Sequence, residues 1–148
     1  MSELVIRKTI KVDASADTLW KVLTENEFIP KYMFGCYAET DWKPGSPLLW
    51  KGQADGKLYV KGSVVAIEAP HHLEYTVIDP NSDIADIPEN YLKMTYGLKE
   101  DGSGSTVLEI AQGDFATVAN GQKRYEDVMA GDDHLMVAIK NVAEAQGK

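Results

Sequence analysis

The chain has 148 residues, 44% hydrophobic and 26% charged, proportions that fit one globular domain with a single core and exclude a disordered or fibrous chain. Its 23 acidic against 15 basic residues give a formal charge of −8, and the scattered lysines and arginines form no phosphate-binding patch, which argues against nucleic acid and anionic membranes. A lone cysteine, Cys36, excludes an internal disulfide framework and makes the cytoplasm the expected location, while no apolar run reaches membrane-spanning length.

Residues 3–12, ELVIRKTIKV, are rich in β-branched side chains and roughly alternate, which predicts a first strand. Ser15 is placed to cap a helix in which Ala16, Leu19, Trp20 and Leu23 recur at i, i+3, i+4 and i+7. Thr24 and Glu27 read as a capping box for a second short helix, which Pro30 should disturb or end. Strands are then expected over 36–41, 47–53, 57–69, 72–79, 91–99 and 105–112, punctuated by KPGSP, ADGK, APHH, PNSD and EDGSGS. Such short turns imply antiparallel hairpins, because parallel crossovers need many more residues. YLKMTYGLK is the clearest strand, with Leu92, Met94, Tyr96 and Leu98 on one side and Lys93, Thr95 and Lys99 on the other. Gly62 hints at a bulge in the long fourth strand, and the acidic stretch 79–90 reads as a connection hanging over one end of the sheet.

From about Asn120 the pattern is helical. Tyr125, Val128, Met129, Leu135, Met136 and Ile139 share a stripe that Asp132 interrupts, with Gly131 beside it. The expectation is therefore a single α+β domain over 1–148: a seven-stranded antiparallel curved sheet, two short helices after strand one, and one long C-terminal helix covering the sheet's apolar face. A strongly curved sheet gripping one helix cannot fill the space everywhere, so a mostly apolar cavity with a few polar groups is expected between them.

VDASADTLWKVLTENEFIPKYMFG, DWKPGSPLLWKG, KGSVVAIEAPHHLEYTV and MTYGLKEDGSGSTVLEIAQ together resemble the START-like, helix-grip (SRPBCC) superfamily, and within it the branch named after the activator of the heat-shock chaperone ATPase. The likeness runs from about residue 4 to 143 and rests on the order of its parts: an aromatic in helix one, the W.PG turn, the G.V..IE.P..L.Y strand pair and the last helix. It implies the helix-grip fold and, commonly, a hydrophobic pocket for a small molecule, but not one activity. Carriers, cyclases, self-sacrifice proteins and co-chaperone domains all occur in the superfamily. The branch usually carries Gly-Trp early in the last helix. Here Gly131 and MVAIK match, and Asp132 stands where the tryptophan is expected.

Loss of that aromatic should enlarge the space under the helix and add a charge that must be solvated, paired or protonated. Either the pocket is polar and wet, or the helix turns Asp132 to the surface, solvated or bonded to Arg124 or Tyr125. The ligand-lining candidates are Tyr32, Trp50, Met94, Tyr96, Leu108, Ile110, Met129, Asp132 and Met136, with the methionines supplying a pliable wall. No cofactor is implied, and no metal: His71 and His72 are adjacent on a turn and diverge, and no zinc spacing exists. Nucleophile motifs are absent as well, and DGSGS reads as a hairpin turn rather than a phosphate loop.

Three functions compete. The first is binding of a small hydrophobic or amphipathic molecule in the cavity. The second is a cyclase, dehydratase or hydrolase using Asp132 with Tyr32 or Tyr96 as acid and base. The third is a module acting on a chaperone ATPase. A homodimer through the edge strands stays open.

Overall fold

The computed structural model describes residues 5–33, 35–81, 85–113, 115, 118, 121–130 and 134–146, with only the backbone described at 88, 124, 127–130, 134 and 135. Seven strands form one antiparallel sheet: β1 (Ile6–Val12), β2 (Cys36–Glu39), β3 (Pro47–Gly52), β4 (Leu58–Glu68), β5 (His72–Val77), β6 (Leu92–Glu100) and β7 (Thr106–Gly113). Their spatial order is β1-β7-β6-β5-β4-β3-β2. The first strand therefore pairs with the last, and each remaining neighbour is a hairpin partner. Alternation in β6 is as expected: Leu92, Met94, Tyr96 and Leu98 are buried, while Lys93 and Lys99 are exposed.

Helix α1 (Ala16–Thr24) begins where Ser15 caps it, the Ser15 hydroxyl accepting the Thr18 N–H at 3.2 Å. Its face of Ala16, Leu19, Val22 and Leu23 is buried, whereas Trp20 is only half-buried against the core. The second helix departs from its expected cap. Thr24 spends its hydroxyl on the Trp20 carbonyl (2.9 Å), and α2 (Ile29–Tyr32) starts instead after Phe28, which offers no side-chain cap. Pro30 falls in the first turn of α2, where a missing N–H costs nothing, so it neither breaks nor ends the helix.

Irregularity in β4 also differs from the expectation at Gly62. Register against β3 shifts so that Tyr59 has no partner, and register against β5 shifts so that Val65 has none. These two extra residues are 41% and 43% exposed, as bulged positions facing solvent should be. Gly62 has another role: a Cβ there would overlap the Thr76 carbonyl oxygen, so the residue is small because the β5 backbone lies against it.

The C-terminal region is described as two helices, α3 (Gly121–Ala130) and α4 (His134–Gln146), on either side of 131–133. Their described apolar side chains enter two clusters. Tyr125 of α3 packs edge-on against Phe115 (ring centres 5.7 Å apart) in a small cluster with Ile6, Leu92 and Val118. Met136, Ile139 and Ala143 of α4 enter the main core with the apolar sheet face and α1. Burial of a side chain the size of Ile139 is worth about 1.5–3 kcal/mol. Two polar contacts fix α4 to the end of β1: the Asp13 N–H donates to Glu144 Oε2 (2.8 Å) and Lys140 Nζ donates to the Lys11 carbonyl (3.2 Å). The sheet holding α4 in its apolar face is the helix-grip arrangement. No described helix is long and apolar enough to cross a membrane.

One edge of the sheet is closed by a side chain. Asn26 donates to the Ala38 carbonyl and accepts the Ala38 N–H, both at 2.8 Å, and so stands in for a neighbouring strand beside β2.

Candidate functional site

Strand register brings the large aromatics together. Tyr75 lies opposite Met94, so Tyr96, two residues further along β6, is its diagonal neighbour on the same face. The two rings stack with centres 5.7 Å apart and 29° between planes, and their hydroxyls hydrogen-bond at 2.9 Å. Trp50 of β3 reaches the other side of Tyr75, ring centres again 5.7 Å apart. From α2, Tyr32 donates its hydroxyl to the Leu23 carbonyl at 3.0 Å.

All four rings are buried, and this changes their chemistry. Loss of water disfavours the phenolate, so the Tyr32 and Tyr75 hydroxyls sit well above their ordinary range, with neighbouring tyrosines adding to the effect. Burial pushes Tyr96 up to about 12, even though the hydrogen bond from Tyr75 works in the opposite direction. The three phenols are neutral hydrogen-bonding groups at any physiological pH, and their hydroxyls already have protein partners.

Trp50 is different. It is 1% exposed, and its indole N–H has no hydrogen-bond partner among the described residues. An indole N–H only donates, and burying it unpaired costs about 1–3 kcal/mol. Such a group in a native fold calls for an explanation.

Trp50 also borders an open cavity of about 470 Å3 between the α2–β2 turn and the β3–β4 hairpin. Met33, Cys36 and Val60 supply apolar wall, and Gln53, Asp55 and Tyr59 supply polar groups. The Asp55 carboxylate accepts the Tyr59 hydroxyl and the Lys57 N–H (3.0 Å), and these bonds hold its acidity constant below the usual carboxylate range. Burial, then the Asp55 charge, pushes the Cys36 thiol up, so Cys36 is a neutral thiol in the wall rather than a nucleophile.

Of the nine lining candidates drawn from the sequence, Tyr32, Trp50, Met94, Tyr96, Leu108, Ile110 and Met136 all lie buried in the one main core cluster. Trp50 alone among them also borders the cavity at the hairpin. Asp132 and the Met129 side chain lie outside the described residues. Sequence reasoning missed Tyr75 as the hub of the aromatic group, and it missed Asp55 and Tyr59. A signal was available: Gly52 follows Trp50 by two residues, on the same strand face, just before the ADGK turn. His71 and His72 do not converge: His71 is exposed in a turn, and His72 pairs with Glu74 at 3.0 Å. No group of three or more metal-ligating side chains occurs among the described residues.

Comparison with known proteins places this geometry. The solution structure of a protein from Cytophaga hutchinsonii is 30% identical, covers 99% of this chain and 98% of that one, and has a TM-score of 0.74. A crystal structure of a Mesorhizobium loti protein is 16% identical, with coverage of 95% and 97% and a TM-score of 0.75. An HSP90 activator from Plasmodium falciparum is 14% identical, with coverage of 93% and 94% and a TM-score of 0.67. The last two likenesses are likenesses of fold. No curated protein matches the chain in sequence. The family model described as "Activator of Hsp90 ATPase homolog 1-like protein" matches residues 13–144, which is nearly the whole chain: the protein belongs to that family, within the START-like helix-grip superfamily.

Proposed function

We propose that the protein binds a small hydrophobic or amphipathic molecule, with the Trp50 indole N–H as the donor that orients its polar end. Family and fold support a ligand-binding or Hsp90-activator-like module. Within that frame, the observation that carries ligand binding is the juxtaposition at Trp50: a buried donor without a partner among the described residues, on a residue that also borders a largely apolar cavity of about 470 Å3. Small-molecule sites are typically concave, of roughly 300–1,000 Å3, and mostly apolar with a few placed polar groups. A ligand oxygen accepting from Trp50 would remove the cost of the unpaired donor on binding.

The test is a thermal-shift and native mass-spectrometry screen of lipids, aromatic polyketides and amphiphiles against the wild type and Trp50→Phe. A ligand at a hundred times its Kd should stabilise the fold by about 2.7 kcal/mol, a rise in Tm of roughly 5–10 °C. Trp50→Phe keeps an aromatic side chain but loses the donor and part of the indole's volume, so the change in affinity should be larger for ligands with an acceptor oxygen than for pure hydrocarbons of the same size. No stabilisation by any compound, with no bound species in the mass spectrum, would remove the reading.

The family description favours one other reading, a module acting on the Hsp90 ATPase. An ATPase assay with the chaperone from the same cell decides it. Unchanged turnover at saturating protein would dispose of the activator role.

A further inference from the structure

Building on the ligand-binding reading, we propose that the cavity discriminates by charge: it accepts amphiphiles with a neutral or cationic polar end and rejects their carboxylate counterparts, because Asp55 stands at its mouth. Three observations carry this. First, Asp55 is the one side chain with a formal charge among the described residues bordering the cavity, and no lysine, arginine or histidine is among them. Second, the carboxylate is placed rather than loose. Strand alternation puts the missing side chain of Gly52 on the same face as Trp50, and the space a Cβ would take there is filled by Asp55 Oδ1, with the Tyr59 ring 2.9 Å from the same point. Third, Asp55 is held by the Tyr59 hydroxyl and the Lys57 N–H, so it cannot turn away without losing both bonds.

The local field is therefore negative where a ligand enters. Asp55 is ionised at neutral pH as any exposed aspartate is, the two hydrogen bonds, chiefly the one from Tyr59, favour that form further, and its charge is felt at Cys36 on the cavity wall. The Lys57 side chain is the nearby cation, and it lies outside the lining residues. Inside, the Trp50 N–H asks for an acceptor oxygen, which an alcohol, ether, ester or ketone supplies without bringing a second negative charge toward Asp55. A fatty acid would bring one.

The experiment compares three ligands that share a C12 chain and each carry an acceptor oxygen, dodecanoylcholine, 1-dodecanol and dodecanoate, below their micellar concentrations. Affinities are read by calorimetry and by Trp fluorescence at low ionic strength. Dodecanoate should bind the wild type at least about tenfold more weakly than the cation, the size expected for a unit charge several ångströms from a partly solvated carboxylate. Asp55→Asn should abolish that ratio. Gly52→Ala keeps the charge but evicts the carboxylate from its place, so it too should narrow the ratio, and it serves if the first variant misfolds. Equal binding of all three ligands, or tightest binding of dodecanoate, overturns the charge selection and leaves the ligand-binding reading standing. If none of the three binds and the broader screen is also empty, that reading falls and the selection with it.

Discussion

The paired hydroxyls of Tyr75 and Tyr96 allow a prediction whose sign is set by a double substitution. Each hydroxyl is buried, and each has the other as its partner at 2.9 Å. Replacing Tyr96 by Phe keeps the ring contact but strands the Tyr75 hydroxyl, at a cost of about 1–3 kcal/mol, because the stranded group loses its hydrogen bond without regaining water. Tyr75→Phe should cost a similar amount by the same route. In the double variant no polar atom is left behind and the stacked rings remain, so the loss should be no greater than that of either single change, where additivity would demand about twice as much. For a domain of this size 1 kcal/mol corresponds to roughly 2–4 °C in Tm, so the singles should melt about 2–12 °C below wild type and the double at or above them. Urea denaturation followed by circular dichroism gives the same cycle in free energy. Strictly additive losses would show that the hydroxyls do not satisfy one another, and the arrangement of the aromatic group would have to be redrawn.

Two further outcomes are expected. Gly62→Ala drives a methyl group into the Thr76 carbonyl and must part β4 from β5, so a loss of more than about 3 kcal/mol, or failure to fold, should appear in denaturant melts, whereas Gly97→Ala, which meets only the Glu109 Cβ at 3.9 Å, should fold. Alkaline stability follows from the raised tyrosine constants. Stability is fully present below the unfolded-state value near 10, because neither state has lost protons there, and it falls as pH rises from that point through the folded value, about 12 for Tyr96. Each buried tyrosine that stays protonated while its unfolded counterpart ionises contributes a slope of about 1.4 kcal/mol per pH unit. Absorbance at the phenolate band should rise in step with unfolding for Tyr32, Tyr75 and Tyr96; ionisation of all seven tyrosines before any loss of fold would contradict their burial.

Most of the architecture could be read from the sequence because strand alternation and turn residues are local signals. Leu92, Met94, Tyr96 and Leu98 alternate with polar residues, and that alternation alone assigns their face. What the sequence hid depends on partners. A bulge is a property of two strands, so a glycine in β4 drew attention while the extra residues, Tyr59 and Val65, are visible only once β3 and β5 are laid alongside. Thr24 has the chemistry of a helix cap, but the carbonyl of Trp20 lies one turn back and takes its hydroxyl first. Of the C-terminal stripe, Tyr125 joins the cluster around Phe115, while Met136 and Ile139 join the main core. At the site, aromatic residues could be assigned to the interior one by one, yet the contact between Tyr75 and Tyr96 needs the hairpin register. Asp55 enters the wall only because Gly52, three residues earlier, leaves room.

The same partners bear on the choice between recognition and acid–base chemistry. A general acid must surrender its proton to substrate and a general base must accept one, each with a constant near the working pH. Tyr32 and Tyr96 meet neither condition: burial holds Tyr96 near 12 and Tyr32 well above its ordinary value, and each hydroxyl is committed, to the Leu23 carbonyl and to Tyr75 respectively. Recruiting either would first break a buried hydrogen bond. Trp50 has no such commitment among the described residues, but an indole N–H does not exchange its proton in a reaction cycle; it can only point. Of the described groups at the cavity, then, one is a buried donor that cannot react and another a carboxylate held by two hydrogen bonds, and the proposal of ligand binding rests on that pair rather than on acid–base chemistry.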